Sequence, residues 1–394
     1  MHKNAWKHKA IYHILLDRFS GPIETKDPFD RDFIGGTLIG VKKSIPYLKS
    51  LGINVLWISP FTKSSNYHAY NTTDFYSVDP HFGTEKDLKN LIDTTHKNGM
   101  EIICDFVPNH TSVDHPFFVD ARTNPKSKYR NWYNFKKWPY KYEKFLNFGD
   151  LAKLNLDNPD VMKHLQGAAH KWLSLGFDGL RLDHIIGLSN SQVIELLSPL
   201  REDFPKAIFI GEAWFSGLTF GQVDTLRVPH RYLLWLLWAL GDNSNNLLYK
   251  NYEGILDGVL DFKLMRLFNE YANARTESKR RNIEREARRE STRFSPHLLQ
   301  FTFLDNHDME RFLFRVDNDI EKLERTAELQ FSLDQPAIIY YGSEVGMTQI
   351  QGFSDKIEYS DLLARQPMIW DKKKQSAQVL DFYKRIIKKK TTES

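Results

Sequence analysis

Residues 158–184, NPDVMKHLQGAAHKWLSLGFDGLRLDH, hold a complete helix and the strand that follows it. Asn158 has a side chain able to cap a helix, Pro159 suits the first helical position, where its missing N–H costs nothing, and Asp160 suits the positive helix end. The helix is expected to run to about Gly176, and GLRLD at 179–183 then reads as a short buried strand. Working outward, the same alternation repeats along the chain. Short aliphatic or β-branched runs occur at 11–16 (IYHILL), 54–59 (NVLWIS), 101–106 (EIICDF), 179–183, 207–212 (AIFIGE), 255–262 (ILDGVLDF), 298–305 (LLQFTFLD) and 337–342 (AIIYYG). Amphipathic stretches of helical period, such as Ser44 to Leu51 and Glu85 to Asn98, lie between most of them. Eight strand-then-helix units predict an α/β fold, a closed (β/α)8 TIM barrel. A doubly wound sheet is the alternative, but its glycine-rich phosphate turn is absent.

The chain has 394 residues, 41% hydrophobic and 26% charged, a composition that excludes a mostly disordered or membrane-embedded protein. Fifty-four basic against 50 acidic residues leave a formal charge of +4, too dilute to argue for nucleic acid or an anionic membrane as partner. The single cysteine, Cys104, excludes an intrachain disulfide, and MHKNAWKHKA lacks the apolar core of a signal peptide, so the expected location is cytoplasmic. The longest apolar run, Tyr232 to Leu240 (YLLWLLWAL), is less than half the roughly 20 residues of a membrane span. It reads as a helix packed on the barrel, or as a contact surface through Trp235 and Trp238.

Residues 111–153 break the alternation, being rich in aromatics, lysine, asparagine and proline. They are expected to form a loop-rich inserted subdomain after the third strand, with 1–110 and 154–394 as the barrel. Loops that follow the strands line the active face of such barrels, so the insertion should wall a site. Thr276 to Phe294 is dense in both charge signs and reads as a solvated helix with ion pairs four residues apart. After residue 370 one further helix, roughly Gln375 to Lys389, is expected, and no C-terminal β-sandwich.

Polar side chains gather at the downstream ends of four strands: Asn109 and His110, Arg181 and Asp183, Glu212, then His307 and Asp308. Strand ends of a barrel share one mouth, so three carboxylates, an arginine and two histidines should meet there. Like charges in one pocket raise each other's proton affinity, which lets one carboxyl stay protonated as an acid beside an anionic neighbour. Glycoside hydrolysis needs that pairing.

In order and position, DFVPNH (105–110), GLRLDH (179–184), GEAW (211–214) and FLDNHD (303–308) resemble the four signature segments of glycoside hydrolase family 13, the α-amylase family. The resemblance extends from AIYHILLDRFSG at 10–21 to RQPMIW at 365–370. It implies that Asp183 is the nucleophile, Glu212 the general acid/base and Asp308 the carboxylate that stabilises the transition state. Arg181, two residues before Asp183, would share its strand face and keep it ionised. YHAYNTTDFY at 67–76 resembles the family's aromatic segment, where Tyr70 would stack on the sugar being cleaved. His110 and His307 would donate hydrogen bonds to that sugar, and Asp361 with Arg365 would grip the next one out.

LAKLN at 151–155 has the lysine of the neopullulanase, cyclomaltodextrinase and maltogenic amylase group. His184–Ile185–Ile186–Gly187 matches neither that group's pattern nor the common amylases'. Asn109 matches a ligand position of calcium-binding members, but a calcium ion takes about six to eight oxygens. Lys153 puts a cation where a partner carboxylate would be, and Gly187 lacks the matching histidine. No cofactor and no metal are therefore expected, zinc least of all. The implied activity is cleavage of α-1,4-glucosidic bonds in maltodextrins with retention. Cyclomaltodextrinase, neopullulanase or 4-α-glucanotransferase activity are alternatives, and a non-catalytic glucan-binding subunit is the competing class.

Overall fold

A computed structural model describes residues 5–21, 27–215, 217–240, 245–294, 296–354 and 359–392. Eight strands form one closed barrel: β1 (Ala10–Ile14), β2 (Val55–Ile58), β3 (Glu101–Phe106), β4 (Gly179–Leu182), β5 (Ile208–Gly211), β6 (Gly258–Leu260), β7 (Leu299–Phe303) and β8 (Ala337–Tyr340). Each neighbours its predecessor in sequence, and β8 returns to β1. The pairs are parallel, Ile11 lying opposite both Val55 and Ile338. All eight are the apolar runs read from the sequence. Each is buried on both faces, save Glu101 at the start of β3, which is why they show no polar alternation.

The main helices are α1 (Leu38–Leu51), α2 (Glu85–Lys97), α3 (Pro159–Leu175), α4 (Asn190–Asp203), α5 (Arg231–Ala239), α6 (Phe262–Ala272), α7 (Glu277–Glu290), α8 (Ile320–Ser332) and α9 (Ala377–Thr392). The start of α3 is as expected: the Asn158 side chain accepts from the Asp160 N–H, and Gly176 ends the helix. α1 begins six residues before the expected Ser44, because the Thr37 hydroxyl accepts from the Gly40 N–H and starts it earlier.

The chain divides into two compact units. The first comprises Met1–Ser59, His81–Ile103 and Leu260–Ser394; the second comprises Pro60–Pro80 and Cys104–Val259. In the first, α7 carries the expected surface pair four apart, Arg288 with Glu284, and one three apart, Arg280 with Glu277, but its last residue is an exception. Glu290 is buried and meets Lys263 at 2.8 Å.

The second unit holds the excursion. Its ends are tied by an antiparallel pair in which His110 faces Lys153 and Ser112 faces Leu151. Phe118, on a helix at Pro116–Thr123 that the loop-rich expectation missed, has its ring 4.8 Å from that of Tyr133 and 4.8 Å from that of Tyr142, an aromatic cluster within the excursion. In α5 the expectation of a packed helix needs correction. Only Leu234 is fully buried, whereas Tyr232, Leu233 and Leu236 are nearly half exposed. Apolar composition alone was a poor guide to burial in a nine-residue helix of an irregular segment.

Candidate active site

In the second unit the sheet register sets the site. Leu182 pairs with Gly211, and the next residues are Asp183 and Glu212. The Glu212 N–H donates to the Leu182 carbonyl, and the Asp183 N–H donates to Phe106. Two carboxylates thus leave neighbouring strand ends side by side.

Arg181 joins them. Its Nη1 donates to Asp183 Oδ1 at 2.9 Å and to Asp105 Oδ1 at 2.7 Å, and its Nη2 lies 2.5 Å from Glu212 Oε1. Burial opposes the guanidinium's charge, but Asp105, Glu212, Tyr70 and Asp183 outweigh it and push its pKa above the ordinary value. The Tyr70 hydroxyl donates to Asp105 Oδ2 at 3.0 Å. His184, directly after Asp183, has left-handed backbone (φ 44°), and its N–H donates to Glu212 Oε2 at 3.1 Å. That positive φ is costly for a residue with a side chain, and it aims a fixed donor at the carboxylate.

His110 is buried at the edge of this cluster, its ring 4.5 Å from that of Phe145. Burial lowers its pKa to about 4, against the opposing effects of the Tyr70 backbone and Asp150, so the ring is neutral at ordinary pH. Lys153 is buried too, and its ammonium donates to the Thr225 carbonyl. Burial, followed by the charge of Arg227, lowers its pKa to about 7. The Asn109 Oδ1 atom is buried without a hydrogen-bond partner, and a Cβ at Gly187 would approach it to 2.2 Å. Among the described residues, no group of three or more histidine, cysteine or acidic side chains could hold a metal.

The first unit holds a second cluster. Arg365 is its hub: Nη2 donates to Asp308 Oδ1 at 2.8 Å, Nη1 lies 2.6 Å from Asp361 Oδ2, and Nε donates to the His307 carbonyl at 2.7 Å. His307 Nε2 is 3.1 Å from Asp308 Oδ2. The His307 ring is buried, whereas the Asp308 side chain is 49% exposed, a carboxylate presented to solvent by buried partners. His13 lies edge-on to His307 at 5.2 Å and stacks on Trp57 at 3.8 Å.

The nine residues singled out from the sequence thus fall into two groups: Tyr70, His110, Arg181, Asp183 and Glu212 in one unit, and His307, Asp308, Asp361 and Arg365 in the other. Sequence reading passed over Asp105 and His13. Each is the lone polar residue deep in an apolar strand run, and that was the available signal, because a buried charge or imidazole needs a partner.

A closed (β/α)8 barrel whose strand ends carry paired carboxylates around a buried arginine has the build of an enzyme. The chain belongs to the α-amylase family: the profile described as alpha amylase, catalytic domain, matches residues 13–385. It is 31% identical over 393 residues to "Alpha-amylase 2" of Dictyoglomus thermophilum, covering 97% of this chain and 63% of that protein. It is 30% identical over 398 residues to a cyclomaltodextrinase of Thermoanaerobacter pseudethanolicus, covering 96% and 62%. The chain therefore spans about three-fifths of the length of these curated relatives. Among solved structures, the cyclic α-maltosyl-(1→6)-maltose hydrolase of Arthrobacter globiformis matches with a TM-score of 0.79 at 23% identity, over 99% of this chain and 84% of that one, a likeness of fold.

Proposed function

We propose that the chain is a retaining α-glucan hydrolase that cleaves α-1,4-glucosidic bonds of maltodextrins by double displacement. The observation that carries this reading is the placement of Asp183 and Glu212 on one guanidinium at adjacent strand ends. Adjacent strands lie about 4.8 Å apart, which suits the roughly 5–5.5 Å carboxyl separation of retaining enzymes and leaves no room for an inverting enzyme's water. Arg181 keeps Asp183 anionic for attack on the anomeric carbon, while Glu212 gives its proton to the departing glycosidic oxygen. The carbon–oxygen bond breaks as the bond to Asp183 forms. Glu212, now deprotonated, takes a proton from water, which displaces Asp183 and frees the sugar.

Asp308, held by Arg365 and His307, stabilises the positive charge that develops on the sugar ring. Tyr70 offers a flat face to that ring, its hydroxyl pinned by Asp105. His110 and His307 hydrogen-bond the sugar hydroxyls, His110 as a neutral imidazole, and Asp361 with Arg365 holds the next sugar. The reaction needs no metal, a reading supported by the buried Lys153 side chain paired across from His110. The soluble glucan is the partner, in the cytoplasm. No helix among the described residues is long and apolar enough to cross a membrane.

Asp183→Asn tests the assignment, since an amide is a poor nucleophile at carbon. Turnover of maltoheptaose should fall below about a hundredth of the wild-type rate. A variant that keeps more than this removes Asp183 from the nucleophile's role.

A further inference from the structure

A cavity of about 680 Å³ opens in the second unit, walled by α3, by the far end of α4 and by the excursion. None of its lining residues belongs to the carboxylate cluster around Arg181. Its volume falls in the range of small-molecule sites, roughly 300–1,000 Å³.

Three aromatic residues from the excursion build one wall. Phe117 and Tyr129 stack at 4.0 Å with an interplanar angle of 10°, and Trp132 stands edge-on to both at 5.1 Å. His164 of α3 faces them, its ring 5.2 Å from Trp132 and 5.6 Å from Phe117. Tyr129, Trp132 and His164 are all half-buried, yet neither the Tyr129 hydroxyl, the Trp132 indole N–H nor the His164 ring has a hydrogen-bond partner among the described residues. Burial lowers the pKa of His164, so its ring is a neutral donor and acceptor. Gly167 lets Tyr76 close against α3 at the floor. A Cβ there would meet the Tyr76 hydroxyl at 2.5 Å, and that hydroxyl donates to the His164 carbonyl. Glycine is disfavoured inside a helix, and here it is the residue that admits the Tyr76 hydroxyl.

A ligand suited to this wall has flat apolar faces for the rings and many hydroxyls for their unpartnered polar edges. A glucose unit has both. An organic phosphate fits less well, because the described lining residues include no arginine, the side chain that grips phosphate through two parallel bonds, and the rim lysines Lys128 and Lys163 share it with the carboxylate of Asp160. We propose that this cavity is a second, non-catalytic binding site for an α-glucan chain, which would hold the polymer to the enzyme while another stretch of it is cut. The proposal rests on the reading of the chain as an α-glucan enzyme.

Titration calorimetry of full-length Asp183→Asn protein with maltoheptaose tests it. The expected result is about two molecules bound per chain, falling to about one when Trp132→Ala is added. Because Trp132 is packed among rings, Lys163→Trp is the companion variant. It adds bulk at an exposed rim position and removes no packed ring, and it too should leave about one molecule bound. A single binding event in the Asp183→Asn parent, or an undiminished second event in the folded Lys163→Trp variant, overturns the proposal. Release of short sugars from maltoheptaose by the wild-type protein reports separately on the catalytic reading.

Discussion

Arg181 holds three carboxylates in a place almost closed to water. Breaking a buried charge cluster by removing one partner is expensive, because the groups left behind stay desolvated. Asp105 is the fully buried member, and it fixes both the guanidinium and the Tyr70 hydroxyl. Asp105→Asn should therefore let the catalytic carboxylates and the sugar platform drift together. We expect kcat on maltoheptaose to fall on the order of a hundredfold in a protein that still folds by circular dichroism. A change of less than about twofold would mean that Asp105 does not position the site. Asp183 and Glu212 were legible in the sequence because they follow apolar runs at strand ends. Asp105 lies inside such a run, EIICDF, where its polarity was the one sign of it. Its importance comes from what lies across the sheet, and a single strand cannot display that.

Among the elements, the eight strands were legible because burial on both faces makes them continuous apolar runs, and α3 because its cap residues stand in order. The helix Pro116–Thr123 was not, since its cap is His115, a residue outside the usual capping set. The His115 Nδ1 accepts from the Phe117 N–H at 3.1 Å, so the cap requires an imidazole without a proton on that atom. Burial, aided by the nearby His164, lowers its pKa from the ordinary 6.5 to about 4. Between those values the unfolded chain binds a proton that the folded chain does not. Stability is thus intact above about pH 6.5 and falls as the pH drops toward about 4, by about 2 kcal/mol at pH 5. Asn at this position keeps a capping acceptor that does not titrate. Urea unfolding of His115→Asn should show a smaller loss of stability between pH 7 and pH 5 than the wild-type protein, and an equal loss would contradict the assignment. The exposed face of α5 was illegible for the opposite reason: composition reports how apolar a segment is, and only its neighbours decide whether it is covered.

At the scale of the whole molecule, the closed parallel barrel makes hydrogen-bonded neighbours of its first and last strands, which lie far apart in sequence. His110, Arg181, Asp183, Glu212, His307 and Asp308 were legible as strand-end polar residues, and Tyr70, Asp361 and Arg365 only through the family resemblance; the hub role of Arg365 was not legible, because Asp361 and Arg365 four apart look the same whether they bind sugar or brace Asp308. If the fold needs no metal, prolonged chelation should leave activity unchanged and the melting temperature within about a degree, since a bound ion would stabilise by mass action. A drop of many degrees that calcium restores would contradict this. The central claim is that Asp183 and Glu212, side by side on neighbouring strands, work by double displacement. Proton NMR of the first sugar released from an α-linked maltooligosaccharide, recorded before mutarotation, tests it most directly. The account predicts that the α-anomer accumulates first; initial accumulation of the β-anomer would mean inversion and would contradict it.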